Sequence, residues 1–292
     1  MTSADQLWRG TANGKQFRVM AVDATLTTQT VRDLLDLSPI ATMLTGKLIS
    51  AAALLSLDLK GSGAEVTVAV QGDGALTGAS VTCTQSGNVR CQVQKPHLFI
   101  DDLSDNFHPG KHLGNGSLSV FRKFRGERMT VGHVELVTGE IAEDLAHFFE
   151  QSEQVPSAVN LGILISHDAT ILSCGGIIIQ QMPNADPARV EELINNIAQT
   201  PNISDLMDMH ISLEEILRTF YFKGSDVDLM AVRPIRYRCN CSRKRFSTAI
   251  QLLGREQIQE FRDGIDTVCS YCNKTYHFSN KDLDTLLKEL KQ

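Results

Sequence analysis

Four cysteines crowd near the C-terminal end of this 292-residue chain, as Cys239-Asn-Cys241, a spacer of 27 residues, and Cys269-Ser-Tyr-Cys272. A tetrahedral zinc ion takes four soft ligands about 2.3 Å away, and each close pair can supply two of them from one tight turn. The spacer is long enough to bring two such turns together and to fold a small subdomain around the ion. Four unrelated buried thiols would not fall into two tight pairs. A static structural zinc ribbon is the stronger rival to a site that reacts. Two features favour reaction. A disulfide within Cys-x-Cys closes a small strained ring, and strain raises the reduction potential of a bond that has to reverse. The run Arg236, Arg238, Arg243, Lys244 and Arg245 favours thiolate, the form that meets oxidants. Structural zinc contributes roughly 10–16 kcal/mol of apparent binding energy in such small domains, so its loss is expected to unfold the segment.

The remaining thiols read as inert. Cys83 and Cys91 fall on adjacent expected strands and Cys174 in an apolar strand beside glycines, all places for core residues. His277 follows Cys272 by five residues and is a weaker candidate ligand than the four thiolates. His108 and His112 lie in a loop containing Gly and Pro and do not suggest a metal site. Gly72-x-Gly74 precedes a strand rather than a helix, and Gly46-Lys47 lacks the upstream glycine and following Ser or Thr of a P-loop. There is no Gly-x-Ser-x-Gly elbow and no His-Glu-x-x-His motif. Nothing specifies an enzyme.

These cysteines must be positioned by the rest of the chain, which reads as α+β. Hydrophobic residues make up 42% and charged residues 21%, the balance of a soluble globular protein. The start, MTSADQLWRG, lacks the basic and apolar regions of a signal peptide. The apolar stretch Ile40 to Leu57 reads as a buried helix, too short and too polar for a bilayer. Seven cysteines with no export signal imply a reducing compartment, the cytoplasm. Residues 1–183 are expected to form a core of antiparallel sheets with packed helices. Its strands are Gln16–Val22, a meander over 65–94 turned by Gly72-Asp73-Gly74 and Ser86-Gly87-Asn88, Ser117–Arg122, Met129–Glu135, Asn160–Ser166 and Ile171–Gln180. Helices are expected over Thr30–Leu57 and Ile141–Gln151, and Gly175-Gly176 marks a bulge or a close backbone contact.

After Met182-Pro183 the pattern becomes helical, with Val190, Leu193, Ile194 and Ile197 at three- and four-residue spacing. Residues 184–232 thus read as a helical linker arm. Residues 233–292 form the small zinc-binding domain, ending in a helix over Lys281–Lys291. Charge follows the same division. The first 183 residues carry 13 basic and 18 acidic groups, the arm 3 and 9, and the last segment 12 and 7. An acidic arm beside a basic zinc segment could dock on it and on the core.

Beyond the cysteines, Ser152-Glu153-Gln154-Val155-Pro156-Ser157, Gly175-Gly176 followed by Gln180-Gln181-Met182-Pro183, and the segment Gly132 to Glu140 carry a further likeness. With the cysteine spacing, they resemble the 33-kDa heat-shock protein family, bacterial redox-regulated holdase chaperones, over essentially the whole chain. The resemblance implies one zinc ion per chain, held by Cys239, Cys241, Cys269 and Cys272 in an inactive reduced form. It implies that peroxide with heat, or hypochlorite, joins Cys239 to Cys241 and Cys269 to Cys272, releases zinc and unfolds the linker. The active protein would be a dimer that binds unfolding clients without ATP under oxidative and heat stress. The arm's apolar face, Leu193, Ile197, Leu206, Ile216, Leu217, Phe220 and Phe222, is then the expected client surface, covered at rest; the bland alternative is a permanently packed helical domain. A zinc-ribbon nucleic-acid binder is opposed by the net charge of −6. A thiol oxidoreductase is opposed by the lack of a βαβ context around Cys269. No nucleic-acid or membrane partner is expected.

Overall fold

In the computed structural model, which describes residues 4–100, 108–261 and 263–290, the chain opens with two strands where one was expected. Strand β1 (Gln6–Ala12) turns into β2 (Phe17–Asp23), and helix α1 (Thr25–Leu35) follows. Asp36, in the left-handed region at φ 50°, ends that helix. Ser38 then caps α2 (Pro39–Leu55), with Pro39 at its first position, where a missing N–H costs nothing. The single helix expected over Thr30–Leu57 is therefore two, parted by an Asp-Leu-Ser-Pro corner.

The chain continues through β3 (Glu65–Gly72), β4 (Gly78–Thr84), β5 (Asn88–Val93), α3 (Pro109–Leu113), β6 (Gly116–Lys123), β7 (Thr130–Glu135), α4 (Ile141–Phe148), β8 (Ser157–Ile165) and β9 (Ile171–Gln181). Next come α5 (Pro187–Gln199), α6 (Ile203–Asp208), α7 (Leu213–Ile216), β10 (Val227–Pro234) and β11 (Arg236–Tyr237). Helices α8 (Arg243–Leu252) and α9 (Arg255–Glu260), strands β12 (Ile265–Val268) and β13 (Thr275–Phe278), and α10 (Asn280–Glu289) complete it. The expected last helix ran to Lys291, which lies outside the described residues. The chain divides into two units, Met1–Tyr237 and Arg238–Gln292.

In the first unit one sheet runs β10-β1-β2-β9-β8, antiparallel throughout, and a second runs β11-β5-β4-β3-β6-β7. The second is antiparallel except where β11 joins β5 in parallel. Helix α2 packs against strands of both sheets. Apart from Lys47, Thr42, Thr45 and Ser50 its residues are apolar or Gly, as suits a helix buried nearly all round, and Leu44, Leu48, Ile49 and Leu54 are fully buried. Together with the short turn after it, α2 makes a 20-residue helix, long and apolar enough to cross a membrane by length and composition. That corrects the expectation of a stretch too short to span, but 89% of an 18-residue stretch of it is buried inside the protein. Gly175 and Gly176 sit in regular register. A Cβ at Gly175 would stand 2.4 Å from Val22 O, so the pair marks a close approach rather than a bulge.

Strand β2 is apolar on both faces. Met20 and Val22 enter the core around α2, while Phe17, Val19 and Ala21 enter a second core on the opposite face of the sheet. Segment 184–232 supplies the other half of that second core through Leu193, Ile203, Leu206, Leu213, Ile216, Leu217, Tyr221 and Phe222. The segment is helical only as far as a wide π-type turn over Leu217–Tyr221. Its end is then a strand, β10, which pairs with β1. Helical spacing is absent from Val227–Pro234, and its partner β1 is more than 200 residues away in sequence, so local periodicity could not announce the pairing.

Candidate metal centre

The second unit is small. Its core holds Ile250, Ile258, Phe278, Leu283 and Leu286, with Phe246, Phe261, Ile265, Tyr276 and Leu287 packed around them. A core of this size supplies little stability on its own, and domains this small are commonly stapled by a metal or disulfides. The four cysteines sit where such a staple would act. Strands β12 and β13 form a hairpin in register from Ile265↔Phe278 to Val268↔Thr275. Its tip carries Cys269 and Cys272. Cys269 N–H donates to Lys274 O at 3.0 Å, and Cys272 N–H and Asn273 N–H both donate to Cys269 O, at 3.2 and 2.8 Å. Asn273 takes the left-handed φ of 56° that closes the turn, a conformation Asn tolerates. Cys239 and Cys241 come from the extended segment just before α8, whose N-terminus is capped by Ser242 Oγ accepting from Arg245 N–H at 3.3 Å.

The four sulfurs converge. Cys239 Sγ stands 3.7 Å from Cys269 Sγ and Cys241 Sγ 3.5 Å from Cys272 Sγ, and all four lie within 4.8 Å of one another. A tetrahedron with metal–sulfur bonds of about 2.3 Å has sulfur–sulfur edges of about 3.8 Å. The donor set therefore fits a single tetrahedral ion: four soft thiols, two from each segment, at ligand spacing. Cys269 is buried and the other three are half-buried.

Burial pushes Cys239 up to about 12, reinforced by contacts with the other three sulfurs. At Cys241 burial also acts upward, but hydrogen bonds from Tyr276 and then Cys272 outweigh it and bring the thiol down to about 7. The Tyr276 hydroxyl lies 3.2 Å from Cys241 Sγ, a neighbour that cysteine spacing did not reveal. Period-two alternation along β13 puts Tyr276 on the face of Phe278 and of the core, the one signal by which it could have been found. Two residues of the basic run have other partners. Arg243 lies over the Phe278 ring at 4.3 Å and pairs with Asp282 at 2.9 Å, and Arg245 donates to Asn240 at 2.6 Å.

His277 is outside the cluster, with Nδ1 2.7 Å from Asp266 on the facing strand. Cys83, Cys91 and Cys174 are fully buried. Cys83 and Cys91 face Val89 and Val81 across the β4–β5 ladder rather than each other. Burial raises the Cys83 thiol to about 11 and those of Cys91 and Cys174 to about 12, which keeps them protonated and unreactive. Among the residues expected to bind clients, Leu193, Leu206, Ile216, Leu217 and Phe222 are buried in the second core, and Ile197 and Phe220 are partly buried against it.

Comparison with known proteins places these features in one context. The family model described as Hsp33 protein matches residues 5–279. A 33 kDa chaperonin of Acetivibrio thermocellus is 35% identical over 288 residues, with 97% of each chain covered. One from Oceanobacillus iheyensis is also 35% identical over 288 residues, with 97% of this chain and 99% of the relative covered. The crystal structure of a 33 kDa chaperonin from Thermotoga maritima matches with a TM-score of 0.89 at 29% identity, covering 99% of this chain and all of that one. Proteins of this matched family carry the name chaperonin and are molecular chaperones rather than enzymes.

Proposed function

Because this chain belongs to the Hsp33 family, we propose that it is an ATP-independent holdase switched by oxidation of a zinc site at Cys239, Cys241, Cys269 and Cys272. The observation that carries the reading is the convergence of four sulfurs from two segments onto one tetrahedral site. Zinc bound there would keep all four sulfurs as thiolates and tie the two segments together. Oxidation removes the ligands in pairs. Cys239 with Cys241, and Cys269 with Cys272, each give two electrons to one hydrogen peroxide; an S–S bond forms, the O–O bond breaks, and two waters leave after uptake of two protons.

We read residues 1–183 as the chaperone core, 184–232 as the linker and 233–292 as the switch. Loss of the site unfolds the switch, and with it the linker, whose chain leads through β10 and β11 into Cys239. Leu193, Ile197, Leu206, Ile216, Leu217, Phe220 and Phe222 then become available to unfolded clients in the cytoplasm, since large exposed apolar patches bind other chains. The active form is a homodimer. Support for a covered client surface comes from the burial of these side chains against the outer face of the β1-β2-β9 sheet.

The experiment is light scattering of a heat-aggregating client, with protein kept reduced and zinc-loaded or treated with peroxide at elevated temperature. Protection by the oxidised sample alone is expected. Equal protection by both, or by neither, removes the switch.

A further inference from the structure

Tyr276 is half-buried on β13, four residues beyond Cys272, and its hydroxyl reaches across to Cys241 Sγ in the other ligand-bearing segment, 3.2 Å away. The phenol is held there on several sides. Its ring meets that of Phe246 at 4.9 Å between centroids, tilted by 34°, and the Lys274 ammonium lies 5.3 Å from its centroid. Its backbone is fixed by the ladder pair with Thr267, whose hydroxyl also donates to Tyr276 O at 3.2 Å.

A metal-held thiolate has no proton, so in this contact only the phenol can donate. A hydrogen bond to a ligand sulfur withdraws electron density from it, which orients the ligand, stabilises the site and makes the sulfur a poorer nucleophile. We propose that Tyr276 is a positioning residue for the metal centre, an outer donor that shields Cys241 from oxidants and sets the threshold at which the site opens. The inference rests on the proposed zinc site. The step it governs is attack of a cysteine thiolate on hydrogen peroxide: an S–O bond forms, the O–O bond breaks, and hydroxide leaves. A neighbouring thiolate then displaces the second hydroxide as the S–S bond forms. With the phenol in place, attack begins at a sulfur other than Cys241.

The full-length chain carrying Tyr276→Phe keeps the ring and its packing on Phe246 but loses the donor. Loaded with Co²⁺, it is expected to show its sulfur-to-metal charge-transfer band at lower energy than the unsubstituted protein, because the lone pairs of Cys241 are no longer stabilised. Its affinity for the ion should fall about tenfold, as for other outer-shell partners. Peroxide should release the ion faster, with more early modification at Cys241 by mass spectrometry. Full incorporation of 3-fluorotyrosine at position 276, a stronger donor, should move the band the opposite way. Unchanged band, affinity and release rate in Tyr276→Phe, with losses only in Tyr276→Leu, would show a merely structural ring and overturn the inference. Failure of the unsubstituted protein to bind Co²⁺ or Zn²⁺ would instead remove the zinc reading itself.

Discussion

Cys241 Sγ and Cys272 Sγ stand 3.5 Å apart although 31 positions separate them along the chain. An ion bound there closes a loop around α8, α9 and β12, within a unit whose buried core, among the described residues, is Ile250, Ile258, Phe278, Leu283 and Leu286. Closing a loop that long removes much of the unfolded chain's freedom.

Metal removal should therefore melt this unit before the rest. With a chelator, or with Cys241→Ser, amide exchange is expected to rise across 243–289 while the 65–94 meander keeps its protection. Hydrogen exchange followed by mass spectrometry checks this. Equal exchange in both regions would mean that the two units do not unfold separately.

Asp5 is 3% exposed. Its two carboxylate oxygens accept from Leu26 N–H and Thr27 N–H at the start of α1, and its carbonyl accepts from Ile235 N–H at 3.1 Å. Burial raises its carboxyl to about 6 despite those donors. The folded state thus holds a proton that the unfolded chain has already lost above pH 4, and stability falls as pH rises from about 4 to about 6. The change is about 3 kcal/mol at most, at 1.36 kcal/mol per unit. Burial acts in the same direction at Asp144. Urea unfolding of the first unit at pH 4.5 and pH 7 should show this slope, flattened in Asp5→Asn.

Ile216 and Leu217 are fully buried between the 184–232 segment and the sheet. Truncating either to Ala should cost about 2–5 kcal/mol, and most of it should be felt where the segment docks. Exchange across 187–222 is expected to rise in the reduced, zinc-loaded protein. Light scattering should then show partial client protection without any oxidant. Raised exchange with no gain in protection would separate the arm's undocking from client binding.

Gly10 faces Leu229 in the β1–β10 ladder, and a Cβ there would lie 1.8 Å from Asp228 O. Backbone that close cannot be displaced by a rotamer change. Gly10→Ala should therefore push β10 off the sheet edge, raising exchange at 227–234 while the β1–β2 amides stay protected. Unchanged exchange at 227–234 would show that the edge accommodates the methyl group.

Much of the site was legible because a four-thiol metal site is written locally, in residue type and short spacing. Cys239, Cys241, Cys269 and Cys272 needed only their two tight pairs to be found. The meander over 65–94 was legible for the same reason, through alternation and the turns Gly72-Asp73-Gly74 and Ser86-Gly87-Asn88. Tyr276 was not, since alternation assigns it a face but not the partner reached from another segment. Strand β10 was hidden because the strand it pairs with, β1, lies more than 200 residues away along the chain, and β1, though hairpinned to β2, shows no clean alternation over Gln6–Ala12. The arm's apolar spacing was visible in Leu193 and Ile197. That the surface beneath it is the second face of β2, through Phe17, Val19 and Ala21, requires knowing that the sheet is covered on both sides.

That two-sided sheet has a kinetic consequence under the proposed cycle. The 184–232 segment and the strand face beneath it are complementary and remain covalently joined when they part. The segment is then a tethered competitor for any client seated on either surface, at an effective concentration in the millimolar range typical of short links. While the segment is unfolded the competition is weak, and clients win. Once reduction rebuilds the cysteine site and the segment refolds, the tether alone can displace bound clients. Discharge then requires thiol reductant and metal, with no hydrolysis of nucleotide to drive it.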